Sequence, residues 1–147
     1  MNNSKKNKKM HELLDNPKVK AWRTLMSAHT KILRFLEAEL LKENCSIPRF
    51  QIFFHLYFHG PASSIELART LCVTRGNIST FIRRLQEDLL VSIEAPEGRG
   101  GKQIIKLTKK GESFFENLLP DHIKRVISAM PDISKKSLTV LETLKIG

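Results

Sequence analysis

Between Pro17 and Glu43, Val19, Trp22, Leu25, Met26, His29, Ile32, Leu33, Leu36 and Leu40 recur at spacings of three and four, which predicts one amphipathic helix. Pro17 suits its first turn. At 1.5 Å per residue such a helix is on the order of 40 Å long. That exceeds what a small core can cover, so a partner subunit is implied. A second helix starts at Ser46-Ile47-Pro48, with Ser46 as cap and Pro48 in the first turn, and stops at Gly60-Pro61. It carries Phe50, Phe53, Phe54, Tyr57 and Phe58, five of the ten aromatics, so nearly every face is apolar and the helix must be buried.

Ser63-Ser64-Ile65-Glu66 fits a capping box opening a short helix that ends near Leu71. After the turn Cys72-Val73-Thr74, Thr74 caps a helix running to about Asp88, with Ile78, Phe81, Ile82 and Leu85 on one inward stripe. With Leu67, small Ala68, Leu71 and Val73, these positions make a helix-turn-helix pattern. The opposite face carries Gly76, Thr80, Arg83 and Glu87, flanked by Asn77, Ser79 and Arg84, with Arg75 in the first turn. Gly76 lets backbone approach a duplex, Asn77 can pair with adenine edges, and arginine grips guanine or phosphate. An ordinary solvated helix face is the competing account, and Glu87, which would repel phosphate, belongs to it. Val91 to Ala95 and Gln103 to Leu107 read as strands of a β-hairpin whose loop, 96–102, carries Arg99 and Lys102. Placed after a recognition helix, the hairpin is a wing whose Arg99 can reach a minor groove. Thr108 caps a helix through Leu118 and Leu119, with a bend expected at Pro120. A last helix from Ser134 through Leu138, Leu141 and Leu144 shows an apolar stripe that a second chain would cover.

The chain has 147 residues, one domain by length, with 41% hydrophobic and 27% charged residues. Lys and Arg number 25 against 15 Asp and Glu, a net charge of +10 that favours a polyanionic partner. No apolar run reaches the roughly 20 residues of a membrane span, and the polar start lacks a signal segment, so a cytoplasmic protein without a membrane partner is expected. Residues 1–16 read as a flexible basic arm, 17–45 and 112–147 as a helical dimerisation region, and 46–111 as a winged helix-turn-helix DNA-binding region, all in one integrated domain. The fold class is mainly α with a small β-hairpin wing. Two cysteines, Cys45 and Cys72, are too few for a disulfide framework or a four-thiolate zinc site. Cys72 reads as a small buried turn residue. His55 and His59 have ligand spacing, with Cys45 and His122 as further donors, but paired histidines on a helix are more often incidental. No metal or cofactor is expected, and no nucleophile, base and orienter assemble into an enzyme site.

In order and spacing the motifs Glu66-Leu67-Ala68, Val73-Thr74-Arg75, Ile78, Arg84-Leu85, Leu90-Val91 and Leu107-Thr108-Lys109-Lys110-Gly111 resemble the MarR family of winged-helix transcriptional regulators, over residues 20–145. The resemblance implies a homodimer with interlocked first and last helices, recognition helices in successive major grooves, and a small molecule or oxidant that changes their separation. The expected function is therefore a sequence-specific double-stranded DNA-binding repressor of a pseudo-palindromic operator, reading through Thr74, Arg75, Gly76, Asn77, Ser79, Thr80, Arg83, Arg84, Arg99 and Lys102. A small aromatic ligand is expected in a cleft lined by Trp22, His29, Arg49, Phe53 and Phe54, with Arg49 taking a carboxylate or phenolate. The alternative is a winged-helix protein-interaction module that has lost DNA reading. The chain departs from the family at several positions. Cys72 and Leu89 stand where glycine is usual, so the recognition helix is expected to end by another route than a left-handed cap. Arg99 and Gly101 fall on the usual wing Asp and Arg, so either the Arg has moved or Lys102 substitutes. Lys135 and Lys136 replace acids near a positive dipole end.

Overall fold

In the computed structural model, which describes residues 2–95 and 102–144, side-chain caps open six helices. Asn16 accepts from the Lys18 amide, Ser46 from Arg49, Ser63 from Glu66, Thr74 from Asn77, Thr108 from Gly111 and Ser134 from Ser137. The order is α1 (Asn2–Leu13), α2 (Pro17–Leu41), α3 (Ile47–His59), β1 (Ala62–Ser63), α4 (Ser64–Leu71), α5 (Arg75–Glu87), β2 (Val91–Glu94), β3 (Ile104–Leu107), α6 (Lys109–Ala129) and α7 (Lys135–Glu142). The fold is mainly helical with a small wing, as the sequence implied. The capping box is complete, because the Glu66 carboxylate also accepts from the Ser63 amide.

α3 packs against α2, α4, α5, α6 and β3. Its Ile52 and Phe53 are fully buried with Leu67, Ile78, Leu85, Ile105 and Phe115, uniting the helix-turn-helix, the sheet and α6 in one core. The sheet is antiparallel in the order β1-β3-β2, with Ala62 opposite Ile105 and Val91 opposite Leu107. β1 is an addition to the expected hairpin, too short to leave a two-residue periodicity.

Three helices end alike. Asn44, Cys72 and Leu89 have left-handed φ of 56°, 54° and 60°. In each case the next residue's amide reaches back to a carbonyl of the last helical turn: Cys45 to Leu40, Val73 to Ala68, and Leu90 to Leu85. The apolar residue after each turn folds back on the core, and Cys45 and Leu90 are buried. The expectation of another route at Leu89 is thus overturned. Burial of Leu90 and two backbone hydrogen bonds hold the left-handed turn although its residue is not glycine. Cys72 is likewise exposed, not buried, because the left-handed turn throws its side chain outward.

Pro120, where a bend was expected, lies inside α6, which is assigned as one helix on to Ala129. Leu118 and His122 flank it one turn apart and are both buried, so packing on each side holds the helix across the missing amide. Where a flexible basic arm was read, residues Asn2–Leu13 form α1, with every side chain from Ser4 to Leu13 exposed. Apolar residues of α2, the end of α6 and α7 are uncovered in the single chain, including Trp22 at 61%, Ile127 at 68% and Val140 at 57% exposure.

α6 docks on the exit of α5. A Cβ on Gly111 would fall 2.0 Å from the Leu90 carbonyl oxygen, an approach open only to glycine. Gly111→Ala should therefore lower stability by on the order of 3 kcal/mol in denaturant melts. Leu89→Gly, which relieves the left-handed strain at an exposed position, should raise it by about 1 kcal/mol. An unchanged midpoint in either variant contradicts this turn geometry.

His122 is buried against Phe50, ring centroids 4.1 Å apart, and its Nδ1 has no partner. Burial, then the nearby Arg125 charge, holds its pKa below the ordinary 6.5, against a smaller opposing effect of Glu43. The unfolded chain therefore binds more protons just below pH 6.5, and stability falls as pH drops through that region. His55 is shifted the same way, chiefly by burial and then by His59. Thermal melts from pH 8 to 5 should show the fall, and His122→Phe should make it shallower; an equal slope removes His122 as a contributor.

Candidate nucleic-acid interface

α4 and α5 meet across Cys72 and Val73, with Ile78, Ile82 and Leu85 buried on the inner side of α5. The outer side carries the residues singled out from sequence. Arg75, Gly76, Asn77, Ser79, Arg83 and Arg84 are exposed and Thr80 is half-buried. Gly76 has open space where a Cβ would project, its nearest contact being the Thr74 hydroxyl at 4.0 Å.

Hydrogen bonding divides this face. Thr74 is committed to capping, its hydroxyl oxygen accepting from the Asn77 amide at 3.2 Å. The Ser79 and Thr80 hydroxyls donate to the Arg75 and Gly76 carbonyls at 2.9 and 3.2 Å, leaving them acceptor capacity toward solvent. Among the described residues the side chains of Arg75, Asn77, Arg83 and Arg84 make no hydrogen bond or ion pair, whereas several cations that brace one element to another do. Arg49 bonds Asp88 at 2.7 Å, Arg125 bonds Glu43 at 2.7 Å, and Lys106 pairs with Glu94. An α5 face with uncompensated guanidiniums is suited to a polyanion. Glu87 shares it, exposed and unpaired among the described residues.

Lys102 is exposed at the foot of the hairpin, near enough to Glu66 to help hold that carboxyl below its usual range, after the larger effects of the Ser63 hydrogen bonds. Arg99 lies outside the described residues.

The five residues expected to line one ligand cleft are not brought together within the chain. Phe53 is fully buried in the core, Trp22 is exposed on α2, and Phe54 borders a groove with His55 and Thr70. His29 borders an apolar groove of about 320 Å³ with Ile32, Leu36 and Met130. Arg49 lines another of about 320 Å³, between the end of α2, the start of α3 and α5, together with Leu41, Cys45, Ser46, Phe81 and Arg84. The Arg49 Nε is buried there without a partner. His55 and His59 have rings 5.1 Å apart, and among the described residues no three His, Cys, Asp or Glu side chains converge on a metal position.

Sequence reasoning missed the brace behind the interface. Arg49 crosses from α3 to the Asp88 side chain, and Lys110 Nζ donates to the Asp88 carbonyl at 2.9 Å. The signal was the Gly111 that follows the capping Thr108.

Residues 45–94 match the family model described as the MarR family. The repressor NicR of Pseudomonas putida is 31% identical over 62 residues, 42% of this chain and 39% of its own length. The chain spans 39% and 65% of the curated relatives it matches. Two solved structures from Streptomyces coelicolor share the fold. The MarR-family regulator AbsC has a TM-score of 0.81 at 22% identity over 88% of this chain and 90% of its own. Sco3205, solved in complex with DNA, has 0.77 at 20% identity over 84% and 80%.

The two thiols differ. Cys45 is buried and its pKa is pushed up to about 12, by burial first, whereas Cys72 is exposed. Alkylation of the native chain at pH 7.5 should modify one thiol, Cys72, and reach Cys45 only on unfolding. Two equally fast sites, read by peptide mass spectrometry, would contradict the burial.

Proposed function

Because residues 45–94 match the MarR family model, we propose that the protein is a cytoplasmic, homodimeric, sequence-specific DNA-binding repressor of transcription without enzymatic activity. The observation that carries this reading is the α5 face on which Arg75, Arg83 and Arg84 have no carboxylate partner among the described residues. Arg75, Arg83, Arg84 and Lys102 hold phosphates, Asn77 reads a base edge, Gly76 admits the backbone, and Thr74, Ser79 and Thr80 line the approach. Arg99 completes the wing on the strength of its sequence position alone. The uncovered apolar faces of α2 and α7 support the homodimer, and two α5 helices related by a twofold call for a pseudo-palindromic operator with half-sites about one helical turn apart.

The groove holding Arg49 and Arg84 supports release by a small aromatic anion. Its carboxylate or phenolate would compete with Asp88 for Arg49 and draw Arg84 from phosphate, while Phe81 and Leu41 cover the ring. Of the five ligand residues expected from sequence, this site uses Arg49 alone. The exposed Glu87 favours a second reading, a protein-interaction module; pull-downs with and without nuclease separate the two.

Binding to genomic fragments should weaken steeply with salt, the log–log slope losing about 1 per phosphate contact. Arg83→Ala should flatten that slope by about one unit. Asn77→Ala should relax preference at one position per half-site, by about 1–3 kcal/mol. A binding constant indifferent to salt would remove the reading.

A further inference from the structure

α1 and the outer face of α3 are both incomplete in the single chain, and their chemistry is complementary. On α3, Phe54, Tyr57 and Phe58 are 41%, 39% and 52% exposed. Their rings touch, with centroids 4.7 Å apart for Phe54 and Phe58 and 5.1 Å for Tyr57 and Phe58, and all three lie against buried Phe115. Glu116 of α6 accepts the Tyr57 hydroxyl at 2.8 Å. Glu112, one turn earlier and close enough to act on the same hydroxyl, has no cationic partner among the described residues. On a chain of net charge +10 this is an aromatic patch edged by acid.

α1 offers the converse. Lys5, Lys6, Lys8 and Lys9 are exposed and unpaired among the described residues. Met10, Leu13 and Leu14, at i, i+3 and i+4, form an apolar stripe 48%, 59% and 37% exposed. Lys6 extends that stripe by a turn and Lys9 flanks it. Lysine over aromatic faces and methionine against ring edges are favourable contacts that this patch supplies, with carboxylates to take the remaining charge. α1 is joined by the turn at residues 14–16 to α2, whose uncovered apolar side is the surface assigned above to the dimer, so in that reading α1 starts beside the second chain.

Resting on the homodimer reading, we propose that α1 of one chain docks on the Phe54–Tyr57–Phe58 patch and Glu112 and Glu116 of the other. The contact ties the N-terminus of each protomer to the joint of α3 and α6 in its partner.

The test uses the full chain with Cys72→Gly as background. Met10→Cys and Phe58→Cys are placed in separate chains, co-expressed and mildly oxidised. A covalent heterodimer on non-reducing gels, several times more abundant than either homodimer, is expected. Its absence from a sample that is dimeric by light scattering and still retains duplex DNA overturns this docking alone, whereas a monomer overturns the dimer reading with it. A chain carrying both substitutions that closes on itself instead of linking to another also overturns it. In a second arm, Lys6→Glu with Lys9→Glu should raise the dimer dissociation constant about tenfold, and Glu112→Lys with Glu116→Lys should restore it. If the lysine changes weaken duplex binding in salt-dependent fashion and leave dimerisation unchanged, α1 belongs to the DNA and the proposal falls.

Discussion

The carbonyls of Asp88, Leu89 and Leu90, turned outward at the exit of α5, are where the helix-turn-helix is fastened to the long helical part of the chain. Lys110 Nζ takes the first at 2.9 Å, the Thr108 hydroxyl the second at 2.7 Å and the Thr108 amide the third at 3.2 Å. The left-handed φ at Leu89 turns these groups toward α6, and Gly111 removes the side chain that would keep α6 away. From the other side Arg49 holds the Asp88 side chain, so the end of α5 is gripped by both α3 and α6. Rotation of α5 about that exit would break several of these bonds at once, and its outer face therefore has a defined direction relative to α6.

Charge is distributed to match. The carboxylates that pair do so away from the α5 face. Glu39 and Glu43 face Arg125, Asp88 faces Arg49, and Glu94 faces Lys106. They brace helix to helix or strand to strand, and partial burial screens some of them less than a surface pair. What remains on α5 is an excess of guanidinium with no internal use.

The helices, their caps and the hairpin were legible because each rests on local chemistry: Ser63 with Glu66, Thr74 before Arg75, apolar spacing around Ile78. The helix exits were less so. A left-handed residue is signalled by glycine, and neither Cys72 nor Leu89 is one; the turns are set instead by the buried Cys45 and Leu90 and the partly buried Val73 that follow them, which depend on the assembled core. How far α6 runs beyond Pro120 was also hard to read, since its continuity depends on Leu118 and His122 finding burial on both sides of it. The inventory of the α5 face was readable from angular position; which of its groups are already committed, as the Ser79 and Thr80 hydroxyls are, was not. The ligand residues do not converge within the single chain. Aromatic residues were grouped by type, while burial sent Phe53 into the core and left Trp22 and Phe54 on separate surfaces.

The Arg49 groove and the α5 exit share their parts, and this bears on how occupancy could be felt at a distance. Arg84 and Asp88 lie one turn apart on α5. Arg84 lines the groove, and Asp88 is joined to it through Arg49, whose Nε is buried without a partner. An anion between the two guanidiniums would compete with Asp88 for Arg49 and so loosen Asp88, whose carbonyl is also held by Lys110 from α6. A charge placed in the groove would thus act on the fastening that orients α5 as well as on the exposed guanidinium of Arg84. A neutral molecule of the same shape could fill the space but would have no such lever, because the coupling runs through the competition for Arg49 and not through the volume occupied.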